Sequence, residues 1–381
     1  VRRDLFTEDH EAFRELARDF VEKEVVPHYP EWEKGGRMPR EVFEQMGELG
    51  ILGIAIPEEY GGGGQPDYRY NVVLQEEAAR ALVTLSTVRT QLEVILPYFL
   101  HYANAEQRDR WFPGLAAGKL LTAIAMTEPG TGSDLAGMRT TAVRDGDDYI
   151  VNGQKVWTSY ADKADCIFCL VRTSKESKQG GISFLLFDME TPGVSTKPIL
   201  LISGYSPFCE TFFDNVRVPK ENLVGQPNKG WDMAKALLGF ERIFIGAPRQ
   251  SAYALSRLRL LAERMGVWDE ADFRDRYARL RLDLEDLKAL YGVYVAKLKR
   301  GESLGPDVSM LKVIQTELFQ RITDLMLEIG GENAGLLEPM EGNRDLNIGG
   351  LFIQARPATI YGGSNEIQRN ILSKNVLGLP G

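Results

Sequence analysis

Apolar residues recur at helical spacing over roughly the first 120 positions, at alternate positions from there to about Val224, and at helical spacing again from Trp231 onward. In TEDHEAFRELARDFVEKEVVP, Phe13, Leu16, Ala17, Phe20 and Val21 line one face, Thr7 is placed to cap, and acids fill the first turn. Pro39 opens a second helix that stops near Gly50, and two more helices are expected between Tyr68 and Tyr102. The texture then changes: Asp145-Gly146 and Asn152-Gly153 read as hairpin turns, and DCIFCLV, GISFLLFDM and CETFFDNVRVP read as strands. Farther on, MAKALLGFERIFIGAPRQSAYALSRLRLLAERM, FRDRYARLRLDLEDLKALYGVYVAKLKR, DVSMLKVIQTELFQRITDLMLEIG and the closing stretch after Leu351 carry long apolar stripes separated by short Gly- and Pro-containing loops, the pattern of a four-helix bundle. The expected architecture is a multidomain α+β chain, with an N-terminal all-α domain over 1–120, a middle antiparallel β-barrel over 121–230 and a C-terminal four-helix bundle over 231–381.

Composition narrows the function. With 381 residues, 44% of them hydrophobic, the chain can bury a large core over more than one domain. A net charge of -9 and a pI near 5.2 argue against a basic nucleic-acid face, yet leave room for a small phosphorylated ligand held by a few backbone N–H groups. The opening segment lacks the apolar core of a signal peptide and no run approaches a membrane span, so a cytoplasmic protein is expected. Cys166 and Cys169, three apart on an expected strand, face opposite sides and do not suit a shared metal. His10, His28 and His101 are scattered over expected helices, which leaves little material for a histidine triad. The glycines at 61–64 are followed neither by Lys-Ser/Thr nor by a βαβ unit, and read as a surface turn.

Three separated blocks carry the chemistry. AMTEPGTGSD at 125–134 offers the hydroxyls of Thr127 and Ser133 beside Gly130 and Gly132, which let the backbone approach a ligand. NGQKVWTS at 152–159 brings Trp157, whose ring suits either a strand core or the edge of a flat heteroaromatic ring. IYGGSNEIQRN at 360–370 reads as a turn opening a helix, whose first N–H groups either face an anionic ligand or are capped by Ser364 or Asn365. In this order, and over nearly the whole length, the blocks resemble the acyl-CoA dehydrogenase family. The resemblance implies FAD as cofactor, contacted by Met126, Thr127, Gly132, Ser133, Trp157, Thr158, Ser159, Gly363, Ser364, Asn365 and Glu366, with Ser159 as hydroxyl partner of flavin N5. It implies α,β-dehydrogenation of an acyl-CoA thioester to the trans-2-enoyl-CoA, with an electron-transferring flavoprotein as acceptor. Ser133, Phe240, Arg242, Tyr361 and Gly362 are the positions it assigns to substrate, in a homotetramer or homodimer.

That reaction needs hydrogen-bond donors at the thioester carbonyl and a desolvated carboxylate at the α-carbon. Many members of the family hold the carboxylate where this chain has Gly362, whereas a branch that includes long-chain and isovaleryl-type enzymes takes it from the first helix of the C-terminal domain. There LLGFERIFIG places Glu241. A lone acid in an apolar helical stretch is costly to bury without a purpose or a partner. Glu241 is therefore either the base, with a pKa raised by burial, or half of an ion pair with an arginine on a neighbouring helix. With the base at 241, Gly362 keeps its N–H for the carbonyl, and its missing side chain is expected to open one wall of the acyl cavity to branched or bulky groups. The family's Arg-x-x-Phe-Gly is replaced by ERMGVWDEADF, which makes Arg264 the candidate for an arginine reaching a neighbouring subunit's flavin. LEIGGENAGLL keeps Gly330 and Gly331 of the cofactor site but not the amide before them. These changes and the LGLPG ending resemble a bacterial branch, some of whose members pair unlike subunits. Two other readings stand beside the dehydrogenase: a non-catalytic or partner-dependent subunit of a heteromeric enzyme, and a flavin monooxygenase or oxidase on the same scaffold. The latter has no use for a base at Glu241.

Overall fold

The first helical stripes turn inward as expected: α1 (Glu8–Phe20) buries Phe13, Ala17 and Phe20, and Thr7 before it places its hydroxyl 2.6 Å from His10 Nδ1. There follow α2 (Tyr29–Gly35), α3 (Arg40–Glu48) with Pro39 at its N-cap, α4 (Arg69–Arg80), α5 (Ser86–Arg89), α6 (Leu96–Tyr102) and α7 (Ala105–Ala116). The computed structural model describes residues 5–35, 38–81 and 83–380; the side chains of residues 33–35, 86, 237, 238 and 240 fall outside the described set. The chain divides into two compact units, Thr7–Leu238 and the part from Gly239 onward together with Leu5 and Phe6.

The strands of the first unit are β1 (Thr122–Ala125), β2 (Thr141–Asp145), β3 (Asp148–Ser159), β4 (Cys166–Arg172), β5 (Ile182–Asp188), β6 (Val194–Ile199), β7 (Phe208–Pro219) and β8 (Leu223–Val224). They form one sheet in the order β6-β7-β3-β2-β4-β5-β8, with β1 added on β4. The expected closed antiparallel barrel is not formed. The path ends at β6, which carries Pro198 and so lacks one ladder donor, and at β8, which is two residues long. Nor is every pairing antiparallel: β1 runs parallel to β4, because the chain spends a long loop and the β2-β3 hairpin before returning in the same direction. A hairpin does join β2 and β3, but its two turn residues are Gly146-Asp147, one position on from the expected Asp145-Gly146, with Asp145 paired to Asp148 at the end of β2. Asn152-Gly153 is not a turn. It lies inside β3 at a register shift, where a Cβ on Gly153 would stand 2.5 Å from Thr140 Oγ1, so the glycine serves close approach.

The alternation along β4 explains the sheet's two buried faces. Ile167, Cys169 and Val171 join Val151, Leu185, Phe187 and Val216 in one cluster. Phe168 stacks on Phe184 at 4.4 Å and meets Tyr98 and Phe99 of α6. Each such buried ring contributes on the order of 2–3 kcal/mol of transfer free energy. Burial pushes the Cys166 and Cys169 thiols up to about 12, and no metal-binding group occurs among the described residues.

The second unit receives the end of α8 (Gly230–Ile245) and contains α9 (Arg249–Met265), α10 (Ala271–Lys299), α11 (Ser309–Gly330), α12 (Ile348–Ala355) and α13 (Asn365–Asn375). Helix α11 is its centre, packing against α9, α10, α12 and α13 through residues such as Leu311, Leu318, Phe319 and Ile322. Gly246 lets the end of α8 come close, since a Cβ there would lie 2.4 Å from Leu311 Cβ. No helix among the described residues is long and apolar enough to cross a membrane.

Candidate functional site

In the first unit the two sheet-borne blocks are pinned together. After β1 the chain closes a tight turn in which Glu128 and Thr131 exchange backbone hydrogen bonds at 3.0 and 3.1 Å. Lys155, fully buried on β3, donates to Glu128 Oε1 and to the Met126 carbonyl, both at 2.9 Å. Burial alone would raise the Glu128 pKa; Lys155 and the N–H groups of Arg139 and Thr140 outweigh it and hold the carboxyl below its usual range. The Val156 N–H donates to the Thr127 carbonyl at 2.9 Å. Just beyond, the β3–β7 register slips between Lys155 and Thr158, and Trp157 is thrown outward with φ +62° and 52% of its surface exposed. A strained backbone that exposes a tryptophan is a cost the sheet does not need for its own packing.

This cluster fits a flavin. Gly130 and Gly132 have φ values open to any residue, and a Cβ at either would meet nothing within 4 Å. Neither conformation nor packing in this chain requires glycine there, and the backbone is left open to close approach by a bound group. The Thr158 hydroxyl is buried and has no hydrogen-bond partner among the described residues. Met126 and Thr127 are half-buried, Gly132 and Ser133 are exposed, and Ser159 ends β3 opposite Phe208.

The second unit brings Gly362 and Glu241 together. Gly362 has φ +63°, and a Cβ built on it would lie 2.1 Å from Ile245 Cδ1 and 3.4 Å from Glu241 Oε1. The Glu241 carboxyl thus reaches the space beside residue 362 from the end of α8. Glu241 is half-buried. Desolvation raises its pKa, against the opposing pull of Arg242 and Lys312. Among the described residues it makes no ion pair or hydrogen bond. Arg242 is itself held down by burial, with Glu241 countering, and its Nε has no partner among the described residues.

The turn after Tyr361 presents two consecutive glycines with φ +63° and +77°. Neither Gly362 nor Gly363 donates its N–H among the described residues. Ser364 caps α13, accepting from the Ile367 N–H at 3.4 Å, and Glu366 stays exposed with its pKa lowered by its own N–H and the Ser364 hydroxyl. Asn365 turns inward instead: its Oδ1 accepts from Lys312 Nζ at 2.7 Å and its Nδ2 donates to Thr316 and Glu317. Lys312 is fully buried and pushed down to about 8 by desolvation, with Glu366, Glu241 and Glu317 opposing. Gly331 ends α11 with φ +55°, and a Cβ on Gly330 would press on Ile348 Cδ1 at 2.9 Å, so this pair is explained by helix termination and packing. Arg264 is exposed and paired with Glu341. Tyr361 is partly exposed, and the Phe240 side chain lies outside the described residues.

Sequence reasoning missed Glu128, Lys155, Lys312, Gln368 and Ile245. A signal existed for the lysines, since Lys155 shares the inward parity of Tyr149 and Val151 on β3, and Lys312 falls on the buried stripe of α11.

The chain matches three family models, described as the N-terminal, middle and C-terminal domains of acyl-CoA dehydrogenase, over residues 7–119, 123–216 and 228–377. It is 31% identical to the mitochondrial long-chain specific acyl-CoA dehydrogenase of Mus musculus, over 99% of this chain and 88% of that one. Among solved structures, an acyl-CoA dehydrogenase from Geobacillus kaustophilus superposes with a TM-score of 0.90 at 32% identity, covering 99% of this chain and 100% of the other. The Tcur3481-Tcur3483 steroid ACAD gives a TM-score of 0.88 at 30% identity, covering 99% of each chain.

Proposed function

Because the chain belongs to the acyl-CoA dehydrogenase family and is an FAD-linked enzyme of acyl-CoA dehydrogenation, we propose that Glu241 is the base that takes the α-proton. The observation that carries this is the carboxyl oxygen standing 3.4 Å from the Cβ position of Gly362, unpaired among the described residues. When bound, FAD supplies the acceptor for the β-hydride, so that proton and hydride losses leave the trans-2-enoyl-CoA. Desolvation makes Glu241 more basic than a solvated carboxylate and suits it to a weakly acidic carbon. The unengaged Gly362 N–H polarises the thioester carbonyl, a kind of contact whose removal costs about 2.7–4 kcal/mol of barrier in comparable sites. Tyr361, Phe240, Arg242 and Ser133 bound the substrate in this reading.

Met126, Thr127, Gly132, Ser133, Trp157, Thr158 and Ser159 hold the flavin, the open glycine cradle and the outward Trp157 being the supporting features. Gly363, Ser364 and Glu366 meet its phosphate or adenine side; the inward-turned Asn365 reaches it only through the backbone. Gly330 and Gly331 contribute backbone at the end of α11, and Arg264 serves a neighbouring copy's flavin by leaving Glu341. Three domains, over 1–120, 121–230 and 231–381, carry these parts.

The position of Glu241 favours the long-chain and isovaleryl-type branch. A branched or bulky acyl group draws support from the likeness to the steroid ACAD, not from an opened wall, because Ile245 occupies the space that Gly362 leaves. An electron-transferring flavoprotein takes the electrons, and the assembly is a homotetramer or homodimer. A partner-dependent enzyme of unlike subunits is the second reading, favoured by the paired designation of that same relative. The test is anaerobic mixing of the FAD-loaded chain with a panel of straight, branched and polycyclic acyl-CoAs. Bleaching of the flavin by wild type, and none by Glu241→Gln with binding retained, supports the base; undiminished bleaching by that variant rejects it.

A further inference from the structure

Gln368, on the second turn of α13, is 1% exposed, and its amide points back out of the helix. Its Nε2 donates to the Gly362 carbonyl at 3.1 Å and to the Gly363 carbonyl at 3.3 Å. Its Oε1 is buried with no partner among the described residues. The reverse orientation of the amide would set oxygen against two carbonyl oxygens, so chemistry dictates the one seen. Gly363 is what admits the amide: a Cβ there would lie 2.7 Å from Nε2.

Helix capping does not account for these bonds. Ser364 already caps α13, and the two carbonyls precede the helix, whose start needs donors satisfied and not acceptors. We propose that Gln368 is a positioning residue for the thioester carbonyl, clamping the Gly362-Gly363 turn so that its free N–H groups stay presented to the acyl-CoA. The inference rests on Gly362 as the carbonyl's donor. A peptide is planar, so holding the Gly362 oxygen orients the Gly363 N–H opposite it, and it restrains rotation about the Gly362 Cα–C bond, the link through which the clamp bears on the Gly362 N–H in the preceding peptide. Without the clamp, two adjacent glycines have wide backbone freedom and no side chain to restrain them. Two residues on, the buried Lys312 holds Asn365 at 2.7 Å and pins the other side of the same turn. An acceptor left unpaired at Oε1 is the cost of committing the amide's donors to the turn.

Two FAD-loaded variants test this, Gln368→Met, which keeps the volume without the donors, and Gln368→Asn, which keeps the amide but withdraws it by one methylene. The readouts are kcat and KM in flavin reduction, and the infrared carbonyl stretch of a bound ¹³C-labelled enoyl-CoA thioester. The expected result is a roughly 10–100-fold fall in kcat, KM within about threefold, unchanged FAD content, and loss of most of the carbonyl down-shift seen in wild type. Should Gln368→Met fail to fold, Gln368→Asn gives the same reading. A full carbonyl shift and wild-type kcat in a folded variant overturn the role of Gln368. The absence of any shift in wild type overturns the Gly362 donor on which it rests.

Discussion

The carboxyl of Glu241 shares its surroundings with Ile245 and Gly362, and the nearest opposing charges are Arg242 and the buried Lys312. Desolvation favours its neutral form, so the rate of flavin reduction is expected to rise with pH through a pKa above the ordinary carboxylate value of about 4.3. The same shift has a stability consequence of definite sign. The folded state binds the proton more tightly than the unfolded one, so the stability of wild type relative to Glu241→Gln should fall as pH rises from the unfolded pKa through the folded one. Thermal unfolding of both proteins across that range checks it. Gly362 is equally constrained. Gly362→Ala sets a methyl against Ile245 Cδ1 at 2.1 Å and forces φ +63° on a residue with a side chain, which should cost on the order of 1–3 kcal/mol. Ile245→Val removes that methyl, so a double-mutant cycle should show the pair costing less than the sum of its parts; simple additivity contradicts the interlock.

At the scale of elements, the cofactor blocks owe their relation to one buried ion pair between the turn after β1 and the strand β3. Lys155→Met leaves Glu128 buried without its cation and should cost about 3–5 kcal/mol, with Glu128→Gln in the same chain restoring part of it. Denaturant unfolding and flavin stoichiometry read the two effects. Elements with a strong period were legible: the N-terminal helices, the strand runs and the helix after Ser364. Pairing partners were not, because alternation tells which face a residue takes and not which strand lies beside it, and so an open mixed sheet passed for a closed antiparallel one. Asn152-Gly153 has the residues of a turn, yet the contact with Thr140 that makes Gly153 necessary comes from a residue thirteen positions earlier. Asn365 shows the same limit: its motif suggests a ligand contact, while a lysine fifty-three positions earlier claims its side chain.

Over the whole molecule, the sheet of the first unit and the helices of the second each carry half of the proposed chemistry, and the family match extends through both. The charge of -9 plays no part in that chemistry, which rests on backbone donors, a few hydroxyls and one desolvated acid. Glu241 was legible as a candidate because the family resemblance points to that helix and the acid there stands alone in an apolar stretch, whereas the filling of the Gly362 space by Ile245 required packing that periodicity does not contain. The central claim concerns proton removal alone, and it can be isolated from hydride transfer. An acyl-CoA with α-hydrogens but no transferable β-hydride is incubated with the FAD-loaded enzyme in D₂O, and deuterium at the α-carbon is followed by mass spectrometry. Wild type should catalyse exchange and Glu241→Gln, with binding intact, should slow it by at least ~100-fold; equal exchange by both proteins would place the base elsewhere.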